Sequence, residues 1–211
     1  MRYSLRKYFE TPSPDEALLG RAERVPVPEK HFILGTPLTG PWPEDARMAQ
    51  FGMGCFWGAE KFMWQLEGVY STFVGYSGGY TPNPTYEEVL TERTGHNEVA
   101  MVIYRPELVP YERLLKEFWE NHDPTQGMRQ GNDIGTRYRS AIYTYGDDQM
   151  ATATKSLERY QEILAARGFS HITTEVIPSD EFYYAEEHHQ QYLAKFPWGY
   201  CNHGYCQARY E

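Results

Sequence analysis

Apolar and polar positions along this chain follow a period that switches between two and about 3.6, and each switch marks a predicted element. Residues 48–53 read as a strand. Over 56–66 the period lengthens. Phe56, Ala59, Met63 and Leu66 fall on one face, and Glu60, Lys61 and Gln65 fall away from it, which predicts a helix. Residues 69–76 are strand-like and stop at Gly78-Gly79. Thr81-Pro82-Asn83-Pro84 reads as a turn, with Asn83 placed to cap a short helix that starts at Pro84. Residues 97–104 form a strand that is apolar on both faces after Glu98, which suits a central position. Tyr111, Leu114, Leu115, Phe118 and Trp119 give the clearest amphipathic helix. Residues 122–137 are rich in Gly, Asp and Asn and read as a long loop, a kind of segment that tends to carry function. A strand at 138–145 follows. Then come a helix over 147–167, with Asp147 as N-cap and Gly168 as its stop, a strand at 171–177, and a helix over 181–196 ended by Pro197.

With the short helix near Tyr86 set aside as a decoration, the order is β-α-β-β-α-β plus an added helix, strand and helix. This is the split βαβ arrangement: an α/β (α+β) two-layer sandwich with helices against a ferredoxin-like, mixed or mostly antiparallel sheet. Residues 1–46 hold Pro12, Pro14, Pro26, Pro28, Pro37, Pro41 and Pro43, a density that forbids long regular structure. The expected organisation is therefore an extended arm at 1–46, one chemistry-bearing domain at 47–196 and a mobile tail at 197–211.

Composition narrows the function classes. A chain of 211 residues with 41% hydrophobic and 23% charged positions is that of a soluble globular protein. A net charge of −9 disfavours a phosphate-binding surface, so nucleic acid is not an expected partner. No run approaches the apolar length of a membrane span, and the charged N-terminus lacks the apolar stretch of a signal peptide. A cytoplasmic monomer with no membrane association is expected. The 18 tyrosines suit half-buried strand positions and equally a cleft that needs hydroxyl donors beside apolar walls. Three cysteines are too few for a disulfide scaffold, and in a reducing cytosol any disulfide they form would be transient and catalytic.

Candidate chemistry centres on Gly54-Cys55-Phe56-Trp57-Gly58, where a strand gives way to a helix. A cysteine at a helix start sits among unpaired amides at the positive end of the dipole, which lowers a thiol pKa. The alternative is a small buried hydrophobe. The flanking glycines favour function, because they allow close backbone approach. Phe56 and Trp57 point in different directions on a helix, so one could wall a pocket over the thiol while the other packs in the core. Glu98 opens an apolar strand. There it is either a solvated end charge or a carboxyl with a raised pKa that can act as a general acid. Asp133 and Tyr138 bracket the end of the long loop and could orient a substrate oxygen or satisfy loop amides. Cys201 and Cys206 lie in the tail around Asn202-His203-Gly204-Tyr205, and either could swing to Cys55. Two competing readings stand beside this one. A metal site could use Cys201, His203 and Cys206 with His188 or His189, although adjacent histidines on a predicted helix point apart. A cysteine hydrolase could use His96 as its base.

The ordered runs resemble the peptide methionine sulfoxide reductase A family, in its longer bacterial form. They are Gly54-Cys55-Phe56-Trp57-Gly58 with Glu60, Gly75-Tyr76-Ser77-Gly78-Gly79, Asn83-Pro84-Thr85-Tyr86 and Gly95-His96-Asn97-Glu98. Further along come Phe118-Trp119-Glu120-Asn121-His122-Asp123-Pro124-Thr125-Gln126, Gly131-Asn132-Asp133-Ile134-Gly135-Thr136-Arg137-Tyr138-Arg139-Ser140, and Glu186-Glu187-His188-His189-Gln190-Gln191-Tyr192. The resemblance implies thiol-dependent reduction of methionine S-sulfoxide, free or in proteins. It implies Cys55 as nucleophile, Glu98 as proton donor, Tyr86 and Tyr138 as hydrogen-bond donors to the sulfoxide oxygen, and Phe56 and Trp57 around the S-methyl group. Asp133 would fix a water or the substrate backbone. Cys201 would resolve the Cys55 sulfenic acid, and Cys206 would pass the disulfide to a reductant of the thioredoxin type. The stretch from Cys201 to Cys206 is shorter and holds fewer glycines than such family members usually carry. No cofactor and no metal are implied.

Overall fold

A computed structural model of the chain describes residues 8–201, 203 and 208–210. Strand β1 (Arg47–Met53) is followed by helix α1 (Phe56–Trp64), β2 (Val69–Ser77), the one-turn helix α2 (Tyr86–Leu90) and β3 (Asn97–Tyr104). Helix α3 (Tyr111–Glu120), the two-residue strands β4 (Arg129–Gln130) and β5 (Asp133–Ile134), and β6 (Ser140–Thr144) come next. The chain ends with α4 (Asp147–Ala166), β7 (Glu175–Pro178), β8 (Tyr183–Tyr184) and the short helix α5 (Tyr192–Lys195). The main sheet runs β7-β6-β1-β3-β2-β8. Its inner four strands, β6-β1-β3-β2, are antiparallel throughout, with α1 joining β1 to β2 and α3 leading from β3 toward β6. That is the expected split βαβ. β7 adds a parallel strand beside β6 after α4, so the sheet as a whole is mixed.

The period of two sorts side chains between the two faces. Ala49, Phe51 and Met53 of β1 and Ala100, Val102 and Tyr104 of β3 meet Ala59 and Met63 of α1, Leu114, Leu115, Phe118 and Trp119 of α3, and Tyr160 and Leu164 of α4. The opposite face, with Phe73, Met101 and Ile103, is covered by Leu38 and Trp42 of the arm and by Phe182 and Tyr184. β3 is buried at all eight positions because both faces are covered, as its apolar run predicts.

The described part of the arm is held to the core from Leu18 to Trp42. Leu18 N donates to Arg93 O at 3.0 Å, Arg21 N donates to Pro82 O at 3.1 Å, and the Arg21 guanidinium pairs with Glu88 at 2.7 Å. The tail returns to the core as well. Tyr160 Oη donates to Ala208 O at 2.7 Å, and Tyr210 N donates to Glu120 Oε1 at 2.7 Å.

Four local expectations are corrected. The short helix is capped by Thr85, which forms a capping box with Glu88, and Asn83 instead takes a left-handed φ of 44° in the turn before it. Helix α4 has Gly146, at φ 89°, in the capping position, with Asp147 inside its first turn. The strand expected at 171–177 starts only at Glu175. The helix expected over 181–196 is largely absent. Tyr183–Tyr184 pairs as an edge strand with β2, turns follow, and only Tyr192–Lys195 is helical. The Gln190 side-chain amide explains the break. It accepts from Val74 N and donates to Val74 O, both at 2.9 Å, so it occupies the sheet edge where a further strand residue would pair.

Candidate active site

β1 ends at Met53, and the chain reverses into α1 through Gly54 and Cys55. Gly54 has φ 89°, and a Cβ there would collide with the Gln130 side chain, so glycine is required for the turn. Cys55 is the N-cap residue of α1 and is buried. The Trp57 and Gly58 amides face its sulfur and pull the pKa down, as expected for a helix start. Burial and the neighbouring Glu98 outweigh them and push the thiol well above its ordinary value. The expectation of a lowered resting pKa is therefore overturned: the cap amides are present, but desolvation wins.

Glu98 shares strand parity with Ala100 and Val102 and so points to the helix side of the sheet. Its Oε2 accepts the Phe56 N–H at 3.1 Å, which makes this carboxyl the acceptor for the first amide of α1. Glu98 is buried, not a solvated strand end. Desolvation raises its pKa to about 8, against the opposing pull of the Phe56 amide and of Arg137. Tyr86 and Tyr138 feel the Glu98 charge, and burial with that charge raises both hydroxyls, Tyr86 to about 12. Asp133 acts on Cys55, Glu98, Tyr86 and Tyr138 alike, so the long loop delivers its carboxylate to the same cluster.

An aromatic wall closes the other side. Phe56 is fully buried against Tyr76 and His189, while Trp57 is partly exposed and stacks on Tyr192 with ring centroids 4.0 Å apart. Phe56 and Trp57 thus belong to one cluster, although consecutive helical residues are expected to diverge. The segment after β8 wraps the first turn of α1 and touches both. His189, raised from the sequence only as an alternative metal ligand on a polar helix face, is instead buried in this wall, and no cluster of three possible metal ligands forms among the described residues. Its Nδ1 accepts the Trp57 indole N–H at 3.2 Å, and its ring lies 4.4 Å from that of Tyr86. The Glu186 carboxylate takes Tyr86 N at 2.8 Å and Tyr76 Oη at 3.3 Å.

Glu60, one turn beyond Phe56, is a second buried carboxyl that anchors this wall. It accepts from Thr72 Oγ1 at 3.1 Å, Gln191 N at 2.9 Å and Gln191 Nε2 at 2.7 Å. Thr72 is in turn bonded to His31 of the arm at 2.9 Å. His31 Nδ1 accepts from the Ile33 and Leu34 amides, so its Nε2 carries the proton.

The tail reaches the site through Tyr200, whose hydroxyl donates to Asp133 Oδ1 at 2.9 Å. The adjacent Cys201 is an exposed free thiol. His203 is bonded through Nε2 to Met53 O at 2.7 Å, and its ring lies where a Cβ on residue 58 would sit. Cys206 lies outside the described residues. His96 does not serve Cys55: Nε2 bonds Thr81 O at 2.8 Å and Nδ1 accepts from Gly79 N at 3.2 Å. Sequence reasoning missed Arg137 and Glu92. The Arg137 guanidinium lies 4.3 Å from the Tyr138 ring centroid and pairs with the buried Glu92.

Residues 47–210 match the family model described as peptide methionine sulfoxide reductase. The chain is 59% identical over 192 residues to peptide methionine sulfoxide reductase MsrA 1 of Synechocystis, a match covering 91% of this chain and 86% of that one. Methionine sulfoxide reductase A of Corynebacterium diphtheriae superposes with a TM-score of 0.86 at 46% identity, over 91% of this chain and 93% of that one. Reduced Mxr1 of Saccharomyces cerevisiae superposes with a TM-score of 0.72 at 31% identity, over 79% and 95%. The helix-start thiol, the protonated carboxyl beside it and these similarities agree: the chain belongs to the peptide methionine sulfoxide reductase family.

Proposed function

We propose that Cys55 and Glu98 are the nucleophile and the proton donor with which this chain reduces the S epimer of methionine sulfoxide, free or in proteins. One observation carries the assignment. A carboxyl that titrates near 8 stands beside a buried thiol, among two tyrosine hydroxyls that keep their protons. Three O–H donors in one water-poor cluster suit an uncharged but strongly polar acceptor, which describes a sulfoxide oxygen.

The Cys55 sulfur attacks the sulfoxide sulfur while Glu98 places its proton on the oxygen, and Tyr86 and Tyr138 hydrogen-bond that oxygen as charge gathers on it. The thiol proton returns to Glu98 as the thiol is consumed. Collapse of this adduct breaks the new S–S bond as the hydroxyl passes from the methionine sulfur to the Cys55 sulfur, releasing methionine and leaving a Cys55 sulfenic acid. Phe56 and Trp57 wall the methyl group, and Asp133 positions a water or the substrate backbone. The Cys201 thiol then condenses with the sulfenic acid, forming a Cys55–Cys201 disulfide and releasing water. A thioredoxin-type dithiol returns both cysteines to thiols and leaves as its own disulfide, with Cys206 as an intermediate relay. The Tyr200–Asp133 bond supports the resolving role because it brings the residue next to Cys201 onto the cluster. The protein acts as a monomer in the cytoplasm.

Single-turnover reaction of the reduced protein with each epimer of a blocked methionine sulfoxide tests this reading. Methionine should form from the S epimer alone, with loss of two thiols. Cys55→Ser should form none, and Cys201→Ser should give one equivalent and then stop with a thioredoxin-type donor. Methionine from neither epimer overturns the assignment, and full cycling by Cys201→Ser removes the resolving role.

A further inference from the structure

Arg137 stands where a cation should spoil a general acid. Its Nε is 3.9 Å from Glu98 Oε1, and the guanidinium is largely buried against Tyr138. An opposite charge at that range lowers a carboxyl pKa by about one to three units. The Nε–H is buried and finds no hydrogen-bond partner among the described residues. On the other side, Nη1 is paired with Glu92, whose side chain is wholly buried and also accepts from Thr136 Oγ1 at 2.6 Å and from Arg137 N at 3.4 Å. Gly135 leaves room for that carboxylate, because a Cβ there would meet Glu92 Oε1. Glu92 itself holds a left-handed φ of 62° after α2, a conformation that costs a non-glycine residue.

Resting on the reading of Glu98 as proton donor, we propose that Glu92 and Arg137 form a tuning couple for that donor: Glu92 cancels the guanidinium's field while Glu98 is protonated, and the free Nε–H closes on Glu98 once it has given its proton away. Both are positioning residues. The step needs no new reagent, since the proton leaves Glu98 for the sulfoxide oxygen and the resulting carboxylate gains an N–H donor. The other groups facing Glu98 are Cys55 and the Phe56 amide at the start of α1, Tyr76 on β2, Tyr86 on α2, Asp133 on β5, and Tyr138. Arg137 supplies the cation and Glu92 is paired with it, while Asp133 opposes that cation at Glu98 more strongly than Glu92 does.

The test is the pH dependence of single-turnover methionine formation by the full chain, from pH 5 to 10. The parent rate should fall along an alkaline limb set by Glu98. Glu92→Gln leaves the cation unbalanced and should move that limb down by about one pH unit, a loss of about fivefold at pH 8. Arg137→Gln should move the limb up and lower the plateau rate. The double variant, which buries no unpaired charge, should return the limb to near its parent position. Limbs that coincide in all four proteins overturn the proposal, and so does a limb that moves the same way in both single variants. Glu98→Gln separates the two levels. If it keeps the full rate and the limb, the reading of Glu98 fails; if it removes the limb while the couple variants leave theirs unmoved, only the couple fails.

Discussion

Replacing Glu98 with glutamine should slow turnover by about 10²–10⁴-fold, leaving a residual rate without the alkaline limb, and should stabilise the fold by an amount that grows with pH. The amide keeps the shape of the side chain and an oxygen to accept the Phe56 N–H, so only the titratable proton is lost. In the folded protein the carboxyl titrates near 8 against a reference of 4.5. A folded acid that holds its proton more tightly than the unfolded chain loses stability as pH rises between those two values. At about 1.4 kcal/mol per pH unit, the deficit is below about 1 kcal/mol at pH 5, about 3 kcal/mol at pH 7 and about 5 kcal/mol above pH 8. Glu98 is 1% exposed, so solvent screening does not reduce the figure. For a chain of this size each kcal/mol moves the melting midpoint by about 2–4 °C, which predicts a gain of roughly 6–12 °C at pH 7 and little at pH 5. Thermal denaturation of both proteins across that range is the assay. Equal midpoints at pH 8, or a difference that does not grow with pH, would refute the argument that burial keeps this acid protonated.

Gly58→Ala should force the His203 ring off α1 and lengthen the life of the Cys55 sulfenic acid, because the tail that carries Cys201 loses its seat; trapping with dimedone measures that lifetime, and an unchanged value counts against the docked tail. Thr72→Val keeps the side-chain volume but removes a donor from Glu60 and the acceptor of His31, so it should cost about 1–3 kcal/mol in chemical denaturation. Iodoacetamide at pH 7.5 should label Cys201 before Cys55 in the resting protein, because Cys201 is exposed while burial holds Cys55 as a thiol. Peptide mapping showing Cys55 modified first would mean that the helix-start amides dominate after all.

The sandwich was legible because its strands and long helices bury continuous apolar stripes, which the period of the sequence reports directly. The 181–196 segment was not, and its residues say why. Gln190 and Gln191 look like solvent-facing positions, yet both are fully buried, one hydrogen-bonded to the edge of β2 and the other to Glu60. Propensity favours a helix there, and side-chain amides that complete the sheet edge override it. His189 was lost with that segment. Cys55, Glu98 and Asp133 stood out because each breaks a local pattern, as a lone thiol, a charge opening an apolar strand, or a carboxylate in a long loop. Arg137 and Glu92 break no pattern, since charges beside turns are ordinary, and only the fold shows that they face each other in the interior.

The arm carries a last consequence. The family match begins at Arg47, where β1 begins. The physical unit begins earlier. Leu38 is fully buried, Trp42 stacks on Phe73 at 5.8 Å, and His31 joins the hydrogen-bond chain that ends on Glu60. A fragment cut at residue 47 would keep all the proposed chemistry and yet bare the part of this sheet face around Phe73, Met101 and Ile103 that Leu38 and Trp42 cover, while Phe182 and Tyr184 would still cover the rest. The arm therefore completes a sheet face that the stretch matched by the family model leaves partly open, and the relatives that align over 91% of this chain share much of that arm.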